Sequence, residues 1–321
     1  MTHIVVAGHW PLDGVAATTA VNQVAYGIQT EYPDTTVDAV PFGSEAAFLE
    51  AAIMVGDHGY APIVVGRNST TSAPIGQHTI DAWNMGLIPV IEGGHQRSID
   101  CGLGFLSVIS GIDCSSGTPD QIHAGLRCAM ERWRGYPIIA AASTTRPLLG
   151  LNSVMALDPE LHVRNQDRDF TVQIAQGFAT APRPHALLPL VERKANTADP
   201  SRIQGSGAGG GVAAMVAALG GRIVDTGTFL ATLLDLPARL APADVVCVLE
   251  PYLDSPLLAE ACLDTITTCA AAEALPVVAV GARSSLSGYE RAEWGIHGVL
   301  VTASDALVDA GRRIAHTWIV R

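Results

Sequence analysis

Two carboxylates, Glu250 and Asp254, directly follow the apolar run VVCVL, which has the composition of a buried strand. Carboxylates just past the carboxyl end of a strand suit Mg²⁺ binding or general-base chemistry. A structural interpretation is equally available, because Asp254 or Ser255 would cap a helix that opens with Pro256. The sequence leaves both open.

A histidine, His9, lies in the segment GHWPLDG, which follows the first apolar strand. The loop after the first strand is where α/β proteins bind ligands, and His9 there could act as a base. The segment lacks the G-x-G-x-x-G pattern, so it gives little support to a dinucleotide site. A lone histidine after a strand also occurs for structural reasons alone.

A base, a cation and an acid occur together in VIEGGHQRSIDCGLGFL, as His95, Arg97 and Asp100. They lie between a glycine pair that ends one apolar run and a glycine turn that opens the next. This arrangement is compatible with a catalytic loop, and equally with a surface turn whose polar side chains bond to each other.

The glycine-rich stretch Gly205–Gly211 leads into a run of small residues with helical character. Backbone N–H groups at a helix N-terminus bind anions, and glycines allow a phosphate to approach closely. The alternative is a turn before a tightly packed helix. Because Lys194 is the only lysine, no Walker-type loop is possible, and phosphate chemistry would need arginine, backbone N–H groups or a metal ion.

Alternating strands and helices at both chain ends predict one Rossmann-like parallel sheet domain. Predicted strands are Ile4–Ala7, Val37–Val40, DVVCVLE, PVVAVGA and HGVLVTA, and predicted helices are VAATTAVNQVAYGI, 44–54, 257–272 and 305–316. The middle of the chain has its own strands and helices. We therefore predict an α/β fold in which residues 1–58 and 234–321 form one domain and residues 59–233 form an inserted second α/β domain.

The composition indicates a globular protein with a large core, since 48% of the 321 residues are apolar and 16% are charged. The net charge of −12 disfavours nucleic acid and anionic membrane surfaces as partners. The six cysteines form no C-x-x-C pair and suit a reducing compartment. No signal peptide or apolar run of membrane-spanning length is visible, so a cytoplasmic location is expected.

Five segments, which occur along this chain in the same order as in the family, resemble those of the bacterial glycerate kinase family. GSGAGGGVAAMVAALGGRI resembles the family's Gly/Ala run, and LEPYLDS resembles its Gly-Glu-Gly-Arg-x-Asp loop, with Glu250 and Asp254 kept. TTRPLLG resembles Cys-Asp-Val-x-Asn-Pro-Leu. The segment from Gly93 resembles Gly-Gly-Ser-Ala-Thr-Asn-Asp-Gly-Gly, and TTSAPIGQ resembles Thr-Thr-Ser-x-Gly-x-Gly. The resemblance extends weakly over nearly the whole chain.

The resemblance implies a two-domain α/β protein that phosphorylates D-glycerate or a related small hydroxy acid with ATP and Mg²⁺. The catalytic candidates are His9, Arg97, Asp100, Glu250 and Asp254. The candidates for binding substrate or phosphate are Glu45, Ser72, Gly93, Gly94, His95, Arg146, Gly207, Gly209 and Gly210. No residue is assigned as a metal ligand.

Several family residues are replaced. His9 and Leu12 stand where relatives have Asp and Lys, Ser143 and Arg146 replace Asp and Asn, and Tyr252 replaces an Arg. Loss of a cation at a phosphoryl-transfer site lowers the rate strongly. Arg97 or Arg146 would have to substitute for these cations.

Two other functions therefore remain open. One is a catalytically impaired relative that binds a small molecule or regulates. The other is a transition-metal site formed by His9 and His95 with Asp100 or Glu250. A homodimer is also left open.

Overall fold

The computed structural model describes residues 2–66, 69–94, 100–157, 165–181, 199–254 and 262–319. The chain divides into two compact units, one formed by residues 1–58 and 226–321 and the other by residues 59–225. The first boundary lies at the predicted position. The second lies eight residues before the predicted 233, because helix Thr226–Leu233 packs with the first unit.

The structure has the mixed α/β architecture with parallel sheets that the sequence predicts. The strands, in chain order, are β1 His3–Gly8, β2 Thr36–Pro41, β3 Tyr60–Val64, β4 Ile88–Gly93, β5 Ile139–Ala142, β6 Arg222–Asp225, β7 Val245–Leu249, β8 Tyr252–Leu253, β9 Val277–Gly281, β10 Arg283–Ser284 and β11 Gly298–Val301.

The helices cover most of the intervening described chain. They are α1 Ala17–Glu31, α2 Ala46–Val55, α3 Ala73–Asn84, α4 Leu103–Ser110, α5 Pro119–Arg132, α6 Val154–Leu157, α7 Asn165–Ala179, α8 Val212–Ala218, α9 Thr226–Leu233, α10 Leu236–Leu240, α11 Leu263–Ala272, α12 Gly288–Glu293 and α13 Leu307–Trp318. Among these helices, none is long and apolar enough to cross a bilayer.

The first unit is built on a parallel sheet with strand order β11-β9-β7-β1-β2. Strands β7 and β9 are buried along their whole length, as expected for Val-rich strands covered on both faces. The chain leaves β1 toward β2 on one side, whereas β7, β9 and β11 lie on the other. The strand order therefore reverses between β1 and β7, and open α/β sheets bind ligands at the carboxyl ends of strands at such a point.

Helices α1 and α13 cross closely in this unit because glycines occupy the contact. A Cβ atom on Gly27 would lie 2.0 Å from the carbonyl oxygen of Val308, and one on Gly311 would lie 2.1 Å from that of Val24. Both glycines are thus needed for the backbones to approach. This packing fixes α1 at the end of the loop that follows β1.

The second unit has a parallel sheet in the order β3-β4-β5-β6, with its own apolar core. Phe105, Leu106 and Ile109 of α4 are fully buried in that core, as are Ile122 and Leu126 of α5. The loops after β3, β4 and β5 contain the described candidate residues of this unit. The predicted glycine-rich element leads, as expected, into helix α8.

Candidate functional site

His9 and Glu250 meet at the point where the strand order of the first sheet reverses. Strand β1 pairs with β7 so that Gly8 lies opposite Leu249. His9, the residue after β1, and Glu250, the residue after β7, are therefore neighbours. The Nε2 atom of His9 lies 2.9 Å from Oε2 of Glu250, and their side chains are 13% and 7% exposed. The structure thus brings together two of the predicted catalytic residues in a nearly buried pair.

The backbone holds this pair in place. Gly8 has a φ of 138°, and a Cβ atom there would lie 2.2 Å from the carbonyl oxygen of Leu249. The amide of His9 donates to that same carbonyl at 3.0 Å. The close approach of β1 to β7, which only glycine allows, therefore positions the imidazole against the carboxylate.

The other imidazole nitrogen of His9 faces Gly43, in the turn after β2. A Cβ atom at position 43 would lie 2.7 Å from Nδ1 of His9, so any side chain there would collide with the ring. The absence of a side chain at Gly43 therefore lets the imidazole keep its place against Glu250.

Glu45 lies at the start of α2 with an unusual backbone conformation. Its φ is 56° and its ψ is −121°, a region that glycine adopts readily and other residues adopt at a cost. The predicted binding residue Glu45 therefore lies in the turn between β2 and α2, two positions after Gly43, which contacts the His9 ring.

Asp254, the second predicted carboxylate after β7, is bonded to the segment that follows β9. Its Oδ2 lies 3.3 Å from Nη2 of Arg283, and its Oδ1 accepts a hydrogen bond from the hydroxyl of Ser285. The Arg283 guanidinium also lies 4.5 Å above the ring of Tyr252. Asp254 therefore ties β8 to β10. The residues after it, including Ser255 and Pro256 of the alternative helix cap, lie outside the described part of the chain.

The N-terminus of α1 is occupied by a carboxylate of the protein itself. Glu50, from α2, accepts from the amide of Ala17 at 3.0 Å and from that of Thr18 at 2.6 Å. A helix N-terminus after the first strand is the usual position for a ligand phosphate in α/β folds. In this unit the Glu50 carboxylate accepts the hydrogen bonds of these two amides.

In the second unit, Asp100 and Ser72 are joined in one hydrogen-bond network. The Asp100 Oδ2 atom accepts from the amide and hydroxyl of Ser72, from the hydroxyl of Thr71 and from the amide of Gly104, at 2.8–3.1 Å. Its Oδ1 accepts from the amide of Gly102 at 3.0 Å. The predicted catalytic acid thus fixes the start of α4 to the loop after β3.

The thiol of Cys101, next to this network, has a raised pKa because it is buried. The pKa of Cys101 is raised to about 12, first by burial and then by the negative charge of Asp100. Such a thiol stays protonated at neutral pH and is a poor nucleophile.

The glycine-rich element 205–211 is buried throughout. The amides of Gly205, Gly207 and Gly209 donate to the carbonyls of Thr145, Arg146 and Gly94, at 3.0–3.2 Å. Those three N–H groups are therefore bonded within the protein. Gly210, which has a φ of 65°, lies in the same buried turn. The described geometry favours the interpretation of a tightly packed turn.

The glycine pair Gly93–Gly94 ends β4 against this turn. A Cβ atom on Gly93 would lie 2.7 Å from the amide nitrogen of Gly209, and one on Gly94 would lie 2.9 Å from the hydroxyl of Ser143. Arg146 follows β5, and its carbonyl accepts from Gly207. His95 and Arg97, the other candidates of this segment, lie outside the described residues.

Within the described residues, the candidate carboxylates are not grouped as metal ligands would be. No group of three or more His, Cys, Asp or Glu side chains among the described residues could hold a metal ion. The carboxylates of Glu250, Asp254 and Asp100 bond to protein donors, and the amides of Gly207 and Gly209 do as well. The transition-metal alternative likewise has no such cluster in the described part of the chain.

Two residues near these loops, Glu50 and Glu92, were not identified from the sequence, and Gly43 was noted only as a glycine kept from the family segment. Gly43 leaves room for the His9 ring, Glu50 fills the start of α1, and Glu92 is a fully buried carboxylate at the end of β4. Only Glu92 carried a local signal, as an acid inside the apolar run before Gly93. The partners of Gly43 and Glu50 are more than thirty positions away in the chain.

The comparisons with known proteins concern the family and the fold. Residues 183–316 match the model of the glycerate kinase family. A crystal structure described as “putative glycerate kinase 2” from Salmonella typhimurium LT2 has a TM-score of 0.71, with 18% identity, over 99% of this chain and 98% of that chain. At that identity the likeness concerns the fold. A transcriptional regulator CelR–cellobiose complex, at 11% identity, covers 98% of this chain and 76% of that one with a TM-score of only 0.16, which supports no argument.

No curated protein sequence matches the chain. The family match includes β7 with Glu250 and Asp254, and the fold match covers almost all of both chains. The resemblance found in the sequence is therefore confirmed: residues 183–316 match the glycerate kinase family, and the chain as a whole has the fold of a structure described in those terms.

Proposed function

We propose that the protein is a glycerate kinase-like phosphotransferase that acts on D-glycerate or a related small hydroxy acid, with His9 as the base for the acceptor hydroxyl. The observation on which this proposal depends is the 2.9 Å contact between His9 and Glu250, at the strand-order reversal of the first sheet. That position is where α/β sheets bind their ligands.

The chemistry follows from the pair. The His9 imidazole, held against Oε2 of Glu250 at 2.9 Å, would take the proton of the acceptor hydroxyl. The carboxylate then stabilises the imidazolium that forms. Glu250 is a positioning residue, and His9 is the catalytic residue that touches the substrate.

ATP and Mg²⁺ enter this proposal from the family resemblance alone. When bound, they would supply the phosphoryl group and neutralise its charge. Within the described residues, no group of three or more His, Cys, Asp or Glu side chains could hold a metal ion, so we assign none of them as a Mg²⁺ ligand. Arg97 and Arg146 remain the predicted partners for the carboxylate or phosphate of a substrate, since a guanidinium binds either group through two parallel hydrogen bonds.

A second candidate is a relative that binds a small molecule without transferring phosphate. It is favoured by the number of predicted phosphate ligands that bond within the protein, which include Gly207 and Gly209. Glu50 at the start of α1 points the same way, because it occupies a position suited to a phosphate.

A coupled ADP-release assay with MgATP and a panel of small hydroxy acids, D-glycerate included, separates the two candidates. Saturable turnover that depends on the acid supports the kinase. Folded protein with no turnover on any acid contradicts it. In that case, saturable binding of a hydroxy acid by calorimetry would support the second candidate, and its absence would contradict that one too.

A further inference from the structure

The amino edge of the second unit's sheet borders a cavity of about 620 Å³. Its lining includes the first residues of all four strands of that sheet, which are Tyr60, Ile88, Ile139 and Arg222. The glycine-rich element and Asp100 lie at the other ends of these strands. The volume falls within the roughly 300–1,000 Å³ of small-molecule sites.

One wall of the cavity is aromatic. The ring centroids of Trp83 and Trp133 are 4.6 Å apart, and Tyr136 lies 5.8 Å from the first and 5.5 Å from the second. Both indole N–H groups donate to backbone carbonyls at 2.9 Å. Because their polar atoms are satisfied, the two indoles are held in place and offer the cavity ring surface rather than hydrogen-bond donors.

Two arginines, Arg134 and Arg222, also line the cavity. In the part of the chain that the structure describes, neither forms an ion pair with a carboxylate. The protein as a whole is acidic, with a net charge of −12, so two such cations beside one cavity attract an anion locally. A guanidinium binds carboxylate, phosphate or sulfonate groups through paired N–H donors.

We propose that this cavity binds a small molecule that combines a flat unsaturated ring with an anionic group. The ring would lie against Tyr136, because the Arg132 guanidinium carbon already lies over the Trp133 ring, 5.0 Å from its centroid. The anion would bond to Arg134 or Arg222. A small hydroxy acid has no ring, so this site differs from the proposed acceptor site in both its position in the fold and its ligand class.

The probe for this site is 8-anilinonaphthalene-1-sulfonate, which carries fused rings and one sulfonate. Titrated into the full-length protein, it should give a saturable fluorescence increase with one site per chain. N-phenyl-1-naphthylamine, the same ring system without the sulfonate, should bind at least about tenfold more weakly.

The double variant R134Q/R222Q tests the two cations, both of which are exposed, and the far-ultraviolet circular dichroism spectrum checks that its fold is kept. It should lower the affinity for the sulfonate dye by at least about tenfold and change the affinity for the neutral dye by less than about threefold. Arg127→Gln, an exposed arginine of α5 outside the cavity lining, is the matched control and should leave both affinities unchanged.

Tyr136→Ala, at a half-exposed position, should weaken both dyes because it removes part of the ring wall. Displacement of the dye by AMP or by indole-3-acetate then distinguishes a nucleotide from an aromatic carboxylic acid. Absence of saturable binding, or equal sulfonate affinity in wild type and R134Q/R222Q, would overturn the proposal. These readouts need no phosphoryl transfer, so they remain valid if the proposed kinase activity fails.

Discussion

The carboxyl edges of the two parallel sheets carry similar residues and use them differently. In the first unit, the acid after β7 meets a histidine after β1, with 2.9 Å between Nε2 of His9 and Oε2 of Glu250. In the second unit, the acid Asp100 accepts five hydrogen bonds from the protein, and the glycines after β5 donate to neighbouring carbonyls. An acid beside a glycine turn can therefore serve chemistry in one place and architecture in the other.

The difference arises from what surrounds each acid. Around Asp100, two backbone amides at the start of α4 and the donors of Thr71 and Ser72 converge on one carboxylate. Glu250 meets an imidazole, which can change its protonation state. Four perturbations test this contrast, and they follow from the largest expected effect to the smallest.

Glu250→Gln should lower kcat by about 10²–10⁴-fold. An amide cannot stabilise the imidazolium of His9, and it can also turn its NH₂ group toward Nε2. The rate is measured in the coupled ADP-release assay, and the far-ultraviolet circular dichroism spectrum checks that the fold is kept. A rate within about threefold of wild type would remove this carboxylate from the mechanism.

Asp100→Ala should lower the free energy of unfolding by about 3 kcal/mol, because it leaves the buried hydroxyl of Ser72 and two helix amides without their acceptor. The measurement is a urea melt. Asp113→Ala, an exposed loop acid of the same unit, is the control and should leave the midpoint near that of wild type. A large fall in kcat with an unchanged midpoint would show that Asp100 is catalytic instead.

Gly93→Ala should destabilise the second unit by about 2 kcal/mol, since its Cβ atom would lie 2.7 Å from the amide nitrogen of Gly209. Gly66→Ala is the matched control, because the nearest atom to its Cβ would be the Ser69 hydroxyl at 3.7 Å. Thermal unfolding of both variants measures the difference. Equal midpoints would mean that the turn is not closely packed against β4.

Glu50→Gln should cost about 1 kcal/mol of stability, because the start of α1 loses a charged acceptor. We also expect phosphate to protect this variant against thermal unfolding more than it protects wild type. Asp34→Asn, an exposed acid just past the other end of α1, serves as the control. Identical phosphate effects in Glu50→Gln and wild type would argue against a displaced phosphate site.

The sequence predicted the fold well where the signal is local. Strand Ile4–Ala7 was predicted and His3–Gly8 is observed, and the glycine-rich element was correctly placed before a helix. The boundaries of the elements were predicted less accurately. The closing helix, for example, is predicted at 305–316 and observed at Leu307–Trp318. The helix predicted at 257–272 is described only from Leu263.

The site was harder to predict because its contacts join distant parts of the chain. His9 and Glu250 were each proposed as functional, but only the register of β1 against β7 brings them together. The bonding of Asp100 to Ser72 and the position of Glu50 also depend on packing between elements. Residue type shows which side chains can do chemistry, and the fold decides which of them are already bonded.

The most direct test of the central claim is the turnover of His9→Asn with MgATP and the best hydroxy acid of the panel. Asparagine is polar but cannot accept a proton at neutral pH. We predict that kcat falls by at least about 10²-fold while the thermal midpoint and the affinity for nucleotide stay near wild type. An unchanged kcat in His9→Asn would contradict the assignment of His9 as the base.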